Sequence, residues 1–322
     1  MSAVDILVIG AGLAGLTLAK QLATHGTKVT LIDKSTAPGG RLSTRRSAFG
    51  SFDHGAQYLT SRTPAFTALI NRLAEDGDVV AWRPRGKDSA RPWWVGNPGM
   101  STIGKTLAQG LEVQFGTRAT QISRADGCYS VRAEISDGTE RVFSAERVAT
   151  AIPAPQAHAL IASLDLAFSA LEAVRMAPCW TAMLAFESSL GEDMQDLIRG
   201  KAGEVLALIA RNGSKPGRTG ETFVLHAAPD WSRAHSESDR ETVSAAMMVA
   251  MRAQSGFGAD LPTPAHLDLH FWRHALVEMP LDAPFIGNAD DTLFACGDWC
   301  IDARAEAAHQ SGLALAHHII AL

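Results

Sequence analysis

Gly10, Gly12 and Gly15 in GAGLAG, near the start of the chain, have the spacing that a phosphate-binding turn requires. One such glycine permits a tight turn, one lets backbone approach a pyrophosphate, and one lets a helix pack closely on a sheet. Leu13 and Ala14 complete the turn, where a helix N-terminus offers N–H groups and a positive dipole end to an anion. Asp33, with Lys34 after it, ends the apolar run KVTLID in position to accept hydrogen bonds from ribose hydroxyls. The chemistry is dinucleotide binding, provided that a strand precedes the glycines and a helix follows them.

The surrounding pattern meets that condition. VDILVI at 4–9 is a β-branched apolar run, and Leu13, Leu16, Leu18, Ala19 and Leu22 then recur at helical spacing. After the breaker Gly26 comes KVTLID at 28–33, which completes a βαβ unit. Further on, PAFTALINRLAED at 64–76 predicts an amphipathic helix opening on Pro64, and residues 78–95 predict a hairpin with an exposed loop. A short helix is expected from Ser101. Alternation between the turns ADG and SDG over 112–151 predicts an antiparallel meander ending in the buried strand RVATAIP. Strands are expected at 181–186, 205–210, 223–228 and 266–274, and helices at 237–254 and in the closing EAAHQSGLALAHHIIAL.

With 322 residues, 46% apolar and 20% charged, the chain has material for a sizeable core and two domains. A net charge of −5 without long single-sign runs offers no footprint for nucleic acid. Cys128, Cys179, Cys296 and Cys300 are too sparse for a disulfide scaffold and form no CxxC pair. Asp5 interrupts the first apolar run, no basic segment precedes it, and nothing later approaches a membrane span. The expectation is a soluble, cytoplasmic protein without membrane partners. His266, His270 and His274 recur every four residues, but Leu267, Leu269 and Phe271 alternate with them, which predicts a strand and no metal site. Cys296 and Cys300 are read as small buried thiols.

Two further motifs narrow the ligand. Gly39-Gly40-Arg41 follows the second strand, and CGDW, with Gly297 and Asp298, precedes the last helix. Together with GAGLAG and Asp33 these resemble the flavin-containing amine oxidase superfamily. There the GGR turn sets its arginine near the FAD pyrophosphate, and the late GD motif sets its aspartate by the ribityl chain. The blocks DHGAQYLTSR (53–62), WVGNPGMSTI (94–103), ATAIPAPQA (149–157), PCWTAMLAFE (178–187), LHAAPDWSRAHSE (225–237) and CGDWCIDARAEAAHQSGLALA (296–316) are similar to the renalase family, above all its bacterial members. They occur in that family's order over nearly the whole chain. One block departs from the pattern, reading His270-Phe271-Trp272-Arg273-His274.

The resemblance implies an α/β fold: a Rossmann-type FAD/NAD(P)-binding domain with an interleaved mixed-sheet substrate domain. The expected FAD domain is 1–60, 100–155 and 285–322, with 61–99 and 156–284 forming the other. It implies noncovalent FAD contacted by Gly10, Gly12, Leu13, Ala14, Gly15, Asp33, Lys34, Gly40, Arg41, Ala56, Gln57, Ala119, Gly297, Asp298 and Ala307. The expected substrate pocket holds Gln57, Tyr58, Trp272, Arg273 and Trp299, with Trp272 stacking on a planar substrate and Arg273 pairing with its phosphate. The implied reaction oxidises isomeric dihydro-NAD(P), the 2- and 6-dihydro forms, to NAD(P) with oxygen as acceptor and hydrogen peroxide as product. A dihydropyridine is already a hydride donor, so no catalytic acid or base is assigned. The alternatives are an amine oxidase or desaturase on another small molecule, and a flavin-binding protein without turnover. A tyrosine cage for an amine is not expected, because the chain has only Tyr58 and Tyr129, and Tyr129 falls in the meander.

Overall fold

The computed structural model describes residues 4–86, 93–191, 193–258 and 260–322. The strand Val4–Ile9, the helix Leu13–Thr24 and the strand Val29–Ile32 form the expected βαβ unit. Its strands lie inside a larger sheet, in the order Ile286–Gly287, Leu293–Ala295, Glu140–Thr150, Val4–Ile9, Val29–Ile32, Glu112–Gln114. All neighbours from Leu293–Ala295 to Glu112–Gln114 pair in parallel. The strand Glu140–Thr150 serves two structures. Its first half pairs antiparallel with Cys128–Ile135, which itself pairs with Thr117–Ala125 to give the expected meander. Its second half pairs parallel with Val4–Ile9. Burial along it changes from alternating to continuous at that point, as it must when a strand covered on one face becomes covered on both.

The second sheet is antiparallel throughout, in the order Leu197–Arg199, Leu206–Arg211, Glu221–Ala227, Arg175–Phe186, His266–Met279. The helix Arg240–Arg252, capped by Asp239, presses Val243, Met247 and Met251 into the apolar layer on one face of this sheet. The other face carries Met183, Ala185 and Val224, which pack around Phe52.

The closing helix, Ala305–Ile320, lies against the helix Leu13–Thr24. A Cβ on Gly312 would sit 2.3 Å from the Ala14 carbonyl oxygen, so that crossing requires glycine. Glu306, buried in the first turn, accepts from the Arg62 and Thr63 amides at 2.9 and 2.7 Å and thereby anchors the helix Pro64–Glu75. The hairpin Val79–Trp82/Trp93–Gly96 is present, and the tip of the expected loop, 87–92, lies outside the described residues. Among the described residues, no helix is long and apolar enough to cross a membrane.

The structure differs from expectation at the 155/156 boundary. The helix Ala154–Ile161 spans it, and Ala157, Ile161, Phe168 and Val174 pack into the core of the first sheet. Proline at the start of a helix pre-sets its first turn, so Pro155 begins an element there rather than separating two units.

Candidate active site

The glycine turn separates what packing demands from what it leaves open. Gly10 has φ +112°, and a Cβ there would lie 2.6 Å from the Ala151 carbonyl oxygen; at Gly15 it would lie 2.0 Å from that of Gly10. At Gly12 a Cβ would meet nothing within 4 Å. The protein's own packing therefore excludes side chains at two positions and leaves space at the third. Gly39 donates to the Ala11 carbonyl at 2.8 Å, and a Cβ on Gly40 would lie 3.5 Å from the Gly12 Cα, so the GGR turn folds beside that space. Asp33 accepts from the Ala11 amide at 2.6 Å and the Ser35 amide at 2.7 Å. Each carboxylate oxygen retains a lone pair for another donor. This glycine cradle with its carboxylate fits a dinucleotide. Leu13 and Ala14 are buried in the adjoining helix, Ala119 is half-buried in the meander, and Lys34 is exposed.

Arg41 and Asp298, read from opposite ends of the chain, meet in a two-bond pair of 2.7 and 2.6 Å. Burial alone would lower the Arg41 pKa, but the charge and hydrogen bonds of Asp298 raise it above its ordinary value. The Arg41 guanidinium also reaches the Ala275 carbonyl at 3.0 Å, where the strand His266–Met279 departs from regular register. Ala56 donates to the Arg41 carbonyl at 2.9 Å and Gly297 to the Ser311 hydroxyl at 2.9 Å, which ties both motifs to their neighbours.

An expected contact is corrected here. Trp299 has no exposed surface: its Nε1 donates to the Ile152 carbonyl at 2.9 Å and its ring lies in the core of the first sheet. An aromatic beside a turn motif can serve core or pocket alike, and here the turn points it inward. Trp299→Ala is expected to cost about 3–5 kcal/mol of stability, measured by denaturant unfolding, as removal of a buried tryptophan does. Ala307 is likewise fully buried.

The DHGAQ segment follows the strand Gly50–Phe52, whose Phe52 packs against the second sheet. Asp53, Lys215 and Arg218 have fully buried side chains, and Asp53 accepts from Lys215 at 3.2 Å and Arg218 at 2.6 Å. The Lys215 ammonium also donates to Gln57 Oε1 at 2.9 Å and Asn212 Oδ1 at 3.2 Å, so its three protons have three acceptors. Gln57 is therefore turned with Nε2 toward the Asp53 and Gly55 carbonyls and the His226 ring. At 4% exposure it supports the segment from within instead of lining a pocket as expected.

His54 stacks on Trp272 with ring centroids 5.1 Å apart, and His270 meets both rings edge-on at 5.0 and 4.3 Å. Trp272 Nε1 donates to the His54 carbonyl at 2.9 Å. Burial is the largest cause that holds His54, His226 and His270 down to about 4; the charge of Arg45 adds to it at His54 and His270, and that of Lys215 at His226. All three are neutral at neutral pH. His54 Nδ1 is buried without a hydrogen-bond partner among the described residues, an orphan that a bound ligand would satisfy.

Arg273 is also corrected. Successive side chains on a strand point to opposite faces, and the exposed Arg273 guanidinium lies over the Phe271 ring at 5.8 Å, on the Trp180 side of the sheet. It cannot share a wall with Trp272. Tyr58 stacks on Trp93 at 4.1 Å, and its hydroxyl accepts from Arg199. Sequence reading named neither Lys215 nor Arg218, because a charged pair in NGSKPGR has the pattern of an exposed turn. His54 and Asp53 lie in DHGAQYLTSR, where nothing in the local pattern signals their burial.

Among the described residues, no group of three or more histidine, cysteine or acidic side chains could hold a metal ion. A model for an NAD(P)-binding Rossmann-like domain matches residues 8–73. A model for flavin containing amine oxidoreductases matches residues 84–320, well over half of the chain. The chain belongs to this family. As a flavin-containing amine oxidoreductase with a Rossmann-like domain, it is an FAD-dependent oxidoreductase. A hydroxyneurosporene desaturase of Cereibacter sphaeroides is 46% identical over 90 residues, 28% of this chain and 18% of the relative. A phytoene dehydrogenase of Streptomyces griseus is 33% identical over 93 residues, 27% and 18% of the two chains. The match thus spans less than a fifth of each of these relatives. Among solved structures, putrescine oxidase bound to putrescine superposes with a TM-score of 0.75 at 15% identity, covering 100% of both chains. Cyclohexylamine oxidase from Brevibacterium oxydans superposes with 0.73 at 13%, covering 99% of both. At such identities these two show the shared fold.

Proposed function

We propose that this flavoenzyme is a renalase-like oxidase of dihydro-nicotinamide dinucleotides reduced at the 2- or 6-position, returning NAD(P) and hydrogen peroxide. The observation that carries the reading is the charge balance around the His54–Trp272 cluster. Asp53, Asp268 and Asp298 are each ion-paired, and the cations pairing with them, Lys215, Arg218, Arg45, Arg240 and Arg41, outnumber them by two. Such a site favours an anionic dinucleotide and repels an ammonium. An amine must also lose a proton before oxidation, and histidines whose pKa lies near 4 are weak bases.

Bound FAD would supply a two-electron acceptor that oxygen re-oxidises. The glycine cradle, Asp33 and the Arg41–Asp298 pair would hold it. Trp272, stacked by the His54 ring on one side and braced by its bond to the His54 carbonyl, would offer its remaining surface to a pyridine ring, and alignment would then replace acid–base chemistry.

Anaerobic mixing is expected to bleach the flavin rapidly with 2- or 6-dihydro-NAD(P) and far more slowly with ordinary NADH or amines. The rate should be flat from about pH 5.5 to 7, because the three histidines titrate below that range and Lys215 above it. Rapid bleaching by an amine, with none by the dihydro isomers, would replace this reading by the amine oxidase one, which the family model favours. FAD is proposed to be held noncovalently, so acid precipitation should leave the yellow colour in the supernatant; colour in the pellet would contradict this.

A further inference from the structure

Three elements converge just beyond the aromatic wall. Arg45 comes from the short hairpin Arg45–Ser47/Gly50–Phe52, Arg240 from the start of the helix Arg240–Arg252, and Asp268 from the strand that carries Trp272. Arg45 Nη1 donates to Asp268 Oδ2, and Arg240 Nη2 donates to Asp268 Oδ1 at 2.6 Å and the Leu269 carbonyl at 2.9 Å. Two guanidinium groups share one carboxylate, which leaves a net positive charge. Their side chains are 37% and 60% exposed.

We propose that Arg45 and Arg240 dock the diphosphate of the dinucleotide substrate, an inference that rests on the substrate reading above. The strand supplies the ruler. Asp268, His270 and Trp272 share one face, and at ~3.3 Å per residue Asp268 stands about 13 Å from Trp272. In a nicotinamide dinucleotide one ribose separates the ring from the diphosphate. A ring stacked on Trp272 thus directs its anionic portion along the strand, past His270, toward the two arginines. His270 Nδ1 lies 3.4 Å from Arg45 Nη2, and its neutrality adds no competing charge.

The donors suit the task. A guanidinium carries five N–H groups, and Arg240 spends only Nη2 among the described residues, leaving Nη1 and Nε for a ligand. Arg45 spends one contact on Asp268 and one on His270. Planar forks of this kind bind phosphate oxygens in pairs, and partial exposure keeps the cost of removing water small.

The test is calorimetric titration of the FAD-loaded protein with NAD⁺ and, separately, with nicotinamide riboside, which has the same ring and ribose without the diphosphate. Arg240→Gln and Arg45→Gln should each weaken NAD⁺ binding about tenfold, the effect of losing a charge-assisted hydrogen bond. Nicotinamide riboside should bind as in the wild type, and NAD⁺ affinity should depend less steeply on salt in both variants. Equal weakening of both ligands would make the cluster a mere latch between elements and overturn the proposal. So would unchanged NAD⁺ binding in both variants, or no NAD⁺ binding by the wild type. If NAD⁺ binds as expected but no dihydro isomer bleaches the flavin, the docking site stands and the substrate reading falls.

Discussion

Gly12→Val should yield a folded protein without FAD. Nothing lies within 4 Å of a Cβ at this position, and its backbone, φ −76° and ψ −179°, is one that any residue adopts. A Cβ at this position therefore meets no obstacle in the chain. The added branches would fill the space into which a pyrophosphate must come to reach the helix N-terminus. Far-ultraviolet circular dichroism should match that of wild-type apoprotein, while bound flavin falls from stoichiometric to near zero. The gain in stability on adding FAD should vanish as well; a ligand at 100–1,000 times its Kd contributes about 3–4 kcal/mol. Gly15→Val supplies the contrast. Its Cβ would lie 2.0 Å from the Gly10 carbonyl oxygen, so that variant should fail to fold correctly. Full flavin occupancy in Gly12→Val would show that the open space is not the phosphate site.

Asp53→Asn is expected to be the most damaging polar substitution, costing about 3–5 kcal/mol, because it leaves buried cations without their counter-ion. The Asp53 carboxylate also accepts from the Met100 amide at 2.9 Å and the Thr44 hydroxyl at 2.8 Å. Burial would raise its pKa, but Lys215 and then Arg218 bring it below the ordinary 3.8. Its stabilising contribution is thus complete above that unfolded-state value and is lost as pH falls through the lower folded-state one. Lys215 has the opposite role. Burial brings its pKa from 10.5 to about 8, so its charge costs stability at neutral pH, and that cost is relieved as pH rises between those values. Urea unfolding of the wild type should show both limbs. Asp53→Asn should lose the acid one, and adding Lys215→Met should recover part of the stability by removing the stranded ammonium. A cost below about 1 kcal/mol would mean that water reaches the network.

The local elements were legible because each is dictated by neighbours in the chain. GAGLAG between an apolar run and a helical repeat specifies strand, turn and helix through glycine geometry and hydrophobic period alone. The same holds for the meander and the closing helix. Alternation along 266–274 identified a strand, and taken further it would have placed Trp272 and Arg273 on opposite faces. What alternation could not supply is which face meets the site, since that depends on the sheet's partners. Trp299 shows the same limit: a tryptophan in a turn motif has one composition and two possible environments, and only packing against Ile152 and the first sheet selects the core. Lys215 and Arg218 mark the far end of that limit. Burial of a charge is decided by a counter-ion, and theirs lies more than 150 residues earlier in the chain. The sequence alone determined the Rossmann-type βαβ unit and pointed to the glycines and carboxylate proposed to hold a nucleotide, because those features are short-range. The charge balance on which the proposed substrate rests arises only when Lys215 and Arg218 close on Asp53 and Arg41 meets Asp298, and it belongs to the tertiary structure.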